Sequence, residues 1–158
     1  MSTINQSYVN ALLADAAYVD VTREMTIDEL KSKLVTRMTP TLAEYLVANF
    51  EIASVVNSSD TPLVGSGFDD TVWRGKTGGD YAGQVFVSMR GTEPPPVAAG
   101  ADLLADGDLA TSAGAHYQIM DMVNWWLRES TPTGQLAKQI KSNGINFVAP
   151  IPVLCPTQ

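Results

Sequence analysis

An α/β domain that stops partway is the fold class this 158-residue chain predicts. Three observations predict it: helical periodicity in the first third, short β-prone runs in the middle, and a long amphipathic helix followed by the start of one more strand. In that order they describe a partial three-layer sandwich, with N-terminal helices, a small mixed sheet and a long amphipathic helix. The length allows one domain with a real core, and the apolar fraction of 45% is ordinary for a globular chain.

Charge and composition exclude several classes of function. The net charge is −7 and the isoelectric point about 4.5, so the global field repels phosphate backbones and anionic membrane surfaces. Nucleic acid is not an expected partner. One cysteine, Cys155, and one histidine, His116, give neither an internal disulfide nor a soft-ligand zinc site, and no metal or cofactor is expected. No transmembrane run exists, and the polar start "MSTINQSYVN" lacks the basic and apolar regions of a secretory signal. A cytosolic protein fits, as does one exported by a route that does not read the N-terminus.

Each helix of the first third has a local reason. Tyr8, Leu12, Leu13 and Ala16 fall on one face at spacings of four and three, predicting an amphipathic helix. "TIDEL" is a capping box, with Thr26 accepting from the backbone of Glu29 while the Glu29 side chain reaches back, and Leu30, Leu34 and Met38 continue one stripe from it. In "TPTLAEYL", Thr39 caps and Pro40 takes the first helical position, where its missing N–H costs nothing; Leu42, Tyr45, Leu46 and Asn49 form the turns.

The period then changes. "FEIASVV" (50–56), "FDDTVWR" (68–74) and "QVFVSMR" (84–90) are β-prone runs separated by Gly, Pro, Asn and Asp, and the last two predict a hairpin. "VFVSM" is nearly apolar on both alternating faces, which predicts an interior strand covered on both sides. "GKTGG" lacks the Gly-Lys-Ser/Thr ending of a phosphate loop and reads as hairpin chemistry.

"EPPPVAAGADLLADGDLATSAG" reads as a loop, with at most a short helical turn at Asp102 to Ala105. Ala115, Ile119, Met122, Val123, Trp126 and Leu127 then mark the apolar stripe of a long helix. "QLAKQIKSNG" predicts a short amphipathic helical segment stopped by Gly144, and "INFVA" predicts a strand broken at once by Pro150, Pro152 and Pro156. Residues 1–145 thus form the expected partial domain, and 146–158 a proline-rich tail, disordered or out of frame.

A strand that ends on Arg90-Gly91-Thr92, followed by a loop with Asp and a long helix, resembles the N-terminal part of the lipases with an α/β-hydrolase core. More narrowly, "GSGFDDTVWR", "VFVSMRGTE" and "DMVNWWLRESTP" are similar to the front of class 3-like bacterial lipases and phospholipases secreted by gram-negative bacteria. The resemblance covers about residues 8 to 145 and is sharpest at Arg-Gly-Thr. It implies an α/β-hydrolase-like sandwich and a carboxylic ester hydrolase acting on lipids. Ester hydrolysis passes through a tetrahedral oxyanion that fixed donors stabilise by several kcal/mol. By the resemblance, Thr92 offers its backbone N–H and hydroxyl to that oxyanion, Gly91 lets the backbone turn closely, and Arg90 ties the loop down through its guanidinium. The alternative is that Arg-Gly-Thr merely terminates a strand.

Such a hydrolase also needs a nucleophile on Gly-x-Ser-x-Gly, with a later acid and histidine. The chain has no Gly-x-Ser-x-Gly. "ATSAG" (110–114) fits an Ala-x-Ser-x-Gly variant before a helix, but no β-run precedes Ser112, and His116 follows it by only four positions. Asp102, Asp106 and Asp108 lack calcium-loop spacing and read as a solvated acidic loop. Trp125 and Trp126 offer either a lipid-contacting patch or partial burial; only Trp126 shares the apolar stripe, so Trp125 is the one to watch for exposure, with partial burial the favoured reading. Cys155 has no downstream histidine and sits in the proline-broken tail.

Two functions from different classes follow. In the first, the chain is the front portion of a lipase or phospholipase, cut by a frameshift, a premature stop or a chosen boundary, and inactive on its own. It would act on a lipid or ester substrate only when completed. The full-length relative would be secreted, whereas this chain would stay cytoplasmic and expose an apolar face along "VFVSM" and the Trp126 stripe, open to self-association. In the second, the chain is a non-catalytic binding or interaction module derived from the hydrolase front half.

Overall fold

The computed structural model describes residues 3–57, 68–90, 116–141 and 143–150. It is a small α/β chain with N-terminal helices followed by small antiparallel sheets, divided into two compact units. Met1–Val56 and Asp69–Gly91 form the first unit; Asn57–Phe68 and Thr92–Gln158 form the second.

In the first unit α1 spans Thr3–Ala16, α2 Ile27–Leu34 and α3 Pro40–Asn49. The buried face of α1 carries Val9, Leu12, Leu13 and Ala16, while Tyr8 is 54% exposed. Val9 therefore takes the place the pattern gives Tyr8. Both residues lie within one turn of Leu12, and spacing alone does not decide between them; the smaller, wholly apolar side chain is the one enclosed.

Helix α2 starts as the sequence dictates. The Glu29 N–H donates to Thr26 Oγ1 at 3.3 Å, and Glu29 Oε2 accepts from the Thr26 N–H at 2.8 Å and the Thr26 hydroxyl at 2.7 Å. Leu30, Leu34 and Met38 are all buried behind it. The Thr26 backbone hydrogen bond, and then its hydroxyl, hold the Glu29 carboxyl below its ordinary value of 4.5. A depressed carboxylate contributes stability that is whole above pH 4.5 and disappears as pH falls through the lowered value. Loss of the helix cap in Thr26→Ala should cost about 1 kcal/mol, and the share of it that Glu29 carries should fade in acid. Thermal melts followed by circular dichroism at neutral and acid pH check both; a deficit independent of pH would count against the box.

Helix α3 begins with Thr39 as cap and Pro40 at the first position, buries Ala43, Leu46 and Val47, and passes without a loop into strand β1, Phe50–Asn57. Its last carbonyls lack intrahelical donors. Lys76, from the turn after the next strand, supplies two: its N–H donates to Asn49 O at 2.8 Å and its Nζ to Val47 O at 2.6 Å. A cation at a helix C-terminus also suits the macrodipole.

Strands β2, Asp69–Gly75, and β3, Val85–Met89, form the expected hairpin, antiparallel with Trp73 opposite Phe86. The sheet order is β1-β2-β3. The strand expected in the interior, "VFVSM", lies at an edge among the described residues: Val85, Phe86 and Val87 are half-buried and Met89 is exposed. The central strand is β2, buried along almost its whole length although it carries Asp69, Asp70 and Thr71. Pairing on both sides encloses it; alternation in the sequence does not encode which strand has two neighbours. Phe50, Tyr81 and Phe86 pack ring to ring at centroid distances of 5.3–6.0 Å against the helical layer, and Trp73 belongs to the same core.

The second unit contains helix α4, His116–Ser130, and the antiparallel strands β4, Ala137–Lys141, and β5, Gly144–Val148. "QLAKQIKSNG" is thus strand and turn rather than helix. Lys141 pairs with Gly144, whose φ of 143° suits glycine, so the residue read as a helix stop closes a hairpin. Asn124 of α4 fixes the hairpin: its Nδ2 donates to Ile140 O at 2.8 Å and its Oδ1 accepts from the Ile140 N–H at 2.6 Å. Of the tryptophans, Trp125 is enclosed, as the favoured reading has it, whereas Trp126 on the stripe is not. Trp125 is 4% exposed, with its ring 5.9 Å from that of Phe68, while Trp126 is 50% exposed. What packs on the helix, and not the densest apolar stripe, decides which side is enclosed. Ala137 and Gln139 are buried, whereas Leu136, Ile140, Ile145 and Phe147 are exposed.

The ladders β2–β3 and β4–β5 are both antiparallel, where the pattern predicts a mixed sheet. Each links neighbours in sequence through a short connection, which permits only antiparallel pairing.

Candidate functional site

The end of β3 is where the sequence places its functional expectation. Asp70 pairs with Met89, and one residue further the Arg90 N–H donates to Asp69 O at 2.9 Å, so the hydrogen bonding continues past the strand. The Arg90 guanidinium donates from Nη1 to Asp20 Oδ1 at 3.1 Å. It is the enclosed member of that pair, with 16% side-chain exposure against 74% for Asp20.

Asp20 follows α1 in a tight turn, in which the Tyr18 N–H donates to Asp15 O and the Val19 N–H to Ala16 O. Val19 and Val21 point into the core, which turns Asp20 outward. Two guanidiniums lie over the Tyr18 ring, Arg90 at 5.9 Å and Arg37 at 4.8 Å from its centroid. Arg37 in turn donates from Nη2 and Nε to Asp15 Oδ1 at 2.9 and 3.1 Å. The result is a charged array, Asp15–Arg37–Tyr18–Arg90–Asp20, with alternating signs around one aromatic ring. Cations over a ring face and carboxylates on the cations are both favourable, so the array fixes the exit point of the chain from β3.

Asp15, Tyr18, Asp20 and Arg37 were not legible as members of one array with Arg90. They come from a helix end and from the turn before α3, and no local motif links them. An ion pair this exposed is worth little by itself. Arg90→Lys should keep the charge, lose the planar fork and lower stability by less than about 1 kcal/mol. It should also speed hydrogen exchange at the residue 90 amide, which is bonded to Asp69; unchanged exchange would show that the guanidinium does not hold this point.

Gly91 and Thr92 lie outside the described residues, as do Ser112, Cys155 and the acidic loop with Asp102, Asp106 and Asp108. His116 begins α4, with its side chain outside them too. Among the described residues no three His, Cys, Asp or Glu side chains gather to hold a metal ion, and no helix is long and apolar enough to cross a membrane. No protein-family profile, curated protein sequence or solved structure matches the chain.

Proposed function

We propose that the chain is the oxyanion-side front portion of a lipase or phospholipase, a carboxylic ester hydrolase acting on lipids, and is inactive alone. The carrying observation is the anchorage of Arg90. Its backbone is held by Asp69 and its guanidinium by Asp20, so the chain leaves β3 from a fixed point. Donors to a developing oxyanion must be fixed before reaction to be of use, because reorganising them during the step returns the barrier they remove. In this reading Thr92 donates through its N–H and hydroxyl, Gly91 gives the close turn, and Arg90 positions both.

A second feature agrees with it. Strand β3 carries a ladder on only one side among the described residues. In an α/β-hydrolase-like three-layer sandwich, a strand bearing the nucleophile would add at such an edge. The exposed Ile140, Ile145 and Phe147 would then be surface for the rest of the enzyme or for a second copy. The complete enzyme would be secreted, and the present chain would remain in the cytoplasm.

The test is to read the coding DNA through and past the codons for Asn146 to Gln158 in all three frames. Another frame should continue into a Gly-x-Ser-x-Gly elbow with later Asp and His codons; if none does, the non-catalytic binding module replaces this reading. Hydrolysis of p-nitrophenyl butyrate by the chain and by Ser112→Ala should both equal the buffer rate. Turnover lost on Ser112→Ala would instead place the nucleophile at Ser112.

A further inference from the structure

The first unit contains a cleft of about 290 Å³, away from the Arg90 array and sharing none of its residues. Leu30, Val47 and Phe50 supply a buried apolar part, and Ile27, 59% exposed, stands among the lining side chains. The charged lining is Arg23, Arg74 and Lys76 against one carboxylate, Glu51. The whole chain has 10 Lys and Arg against 17 Asp and Glu, so this excess of positive charge runs against its composition.

The three cations are differently committed. Arg74 Nη1 lies 3.9 Å from Glu51 Oε1, a loose and half-exposed pair. Lys76 Nζ donates to Val47 O at the C-terminal end of α3 and makes no ion pair with a carboxylate among the described residues. Arg23 is exposed and has no hydrogen-bond or ion-pair partner among the described residues. A cleft that joins buried apolar carbon to two cations without carboxylate partners among the described residues fits a ligand with an anionic head and an apolar tail.

We propose that this cleft binds the carboxylate of a single-chain fatty acid, with the head group between Arg23 and Lys76 and the chain over Leu30, Val47 and Phe50. Size limits the tail: small-molecule sites occupy about 300–1,000 Å³, and this cleft stands at the lower end, with room for one medium-length chain and not for a diacyl lipid. The head group is selected by charge and shape. A planar guanidinium fork matches a carboxylate, while Glu51 repels a doubly charged phosphate more strongly than a singly charged acid. This site does not depend on the ester-hydrolase reading and would persist in a chain without a nucleophile.

Calorimetric titration of the full chain with dodecanoate, below its micelle concentration, tests the assignment. Dodecanoate should saturate at one molecule per chain, more tightly than dodecyl phosphate, and dodecyltrimethylammonium should not bind. Arg23→Ala should weaken dodecanoate about tenfold, as loss of one charge-assisted hydrogen bond does, and Glu51→Gln should tighten it. If Arg23→Ala fails to fold, the Glu51→Gln result decides. No saturable binding, equal binding of the cationic amphiphile, tighter dodecyl phosphate, or affinity indifferent to both substitutions would overturn the proposal.

Discussion

Trp73→Ala should unfold most of the chain's first unit under conditions where the parent is stable, by removing about 3–5 kcal/mol from a total that for most domains is about 5–15 kcal/mol. Trp73 is the largest fully buried side chain among the described residues; it sits on the central strand, opposite Phe86, and in the core shared with the helical layer. Its neighbours come from separate elements that cannot collapse into the vacated volume without breaking the sheet, so the cavity cost adds to the lost burial. Trp73→Phe should behave differently. Nε1 of Trp73 is buried and makes no hydrogen bond among the described residues, and an unsatisfied buried donor costs about 1–3 kcal/mol. Phenylalanine removes that cost while leaving a smaller void, so the two effects offset and the net change should stay within about 1.5 kcal/mol. Urea unfolding followed by far-ultraviolet circular dichroism, which does not depend on the indole signal, compares the three proteins. Equal losses in both variants would remove Trp73 from the centre of the fold.

The second large effect is expected at Gly75, the last residue of β2. A Cβ there would stand 1.8 Å from the Tyr81 carbonyl oxygen and 2.5 Å from its carbon. These are backbone atoms, and they are held in place because the Gly75 N–H donates to Gln84 O and the Gly83 N–H to Gly75 O. No rotamer change relieves the clash, so Gly75→Ala must open the hairpin or displace Tyr81 from the aromatic cluster. We expect a loss of about 3 kcal/mol, the upper end of overpacking costs. Gly78 provides the control. It has a φ of +87° but open space around its Cβ position, so Gly78→Ala should cost only about 1 kcal/mol, from backbone strain alone. Similar losses at the two positions would mean that the approach of Tyr81 to Gly75 is not a constraint.

What was legible in the sequence was local. The capping box at Thr26 and Glu29, the Thr39-Pro40 start, the β2–β3 hairpin and the long helix all rest on residues within a few positions of one another. Misreadings came where a local pattern admits two structures. Leu136, Ala137 and Ile140 fit a helix face, yet a Gly144 hairpin and the side chain of Asn124 make the segment a strand. Trp126 lies on the densest apolar stripe yet is half exposed, because the packing partner, Phe68, meets the neighbouring Trp125 instead. The central position of β2 was hidden for a related reason: two consecutive aspartates discourage a buried reading, and only the presence of a strand on each side reverses it. At the candidate site, Arg90 could be named from its motif, but Asp20 lies 70 residues away and Arg37 meets Asp15 across 22. Pairings of that range depend on how the helices are laid against the sheet, which composition and periodicity do not specify. The cationic cleft was hidden likewise, since Arg23, Arg74 and Lys76 meet only after folding.

The direct passage from α3 into β1 limits how this chain can vary in length. With Asn49 the last helical residue and Phe50 the first of the strand, the two elements share a phase with no slack between them. One inserted residue at this junction would swing the helix by about 100° about its axis and turn every strand side chain to the opposite face. Either the stripe of Ala43, Leu46 and Val47 or the alternation that begins at Phe50 would then face water. Insertions and deletions should therefore be rejected here, which makes residues 49 and 50 the rigid joint from which the first unit is measured out.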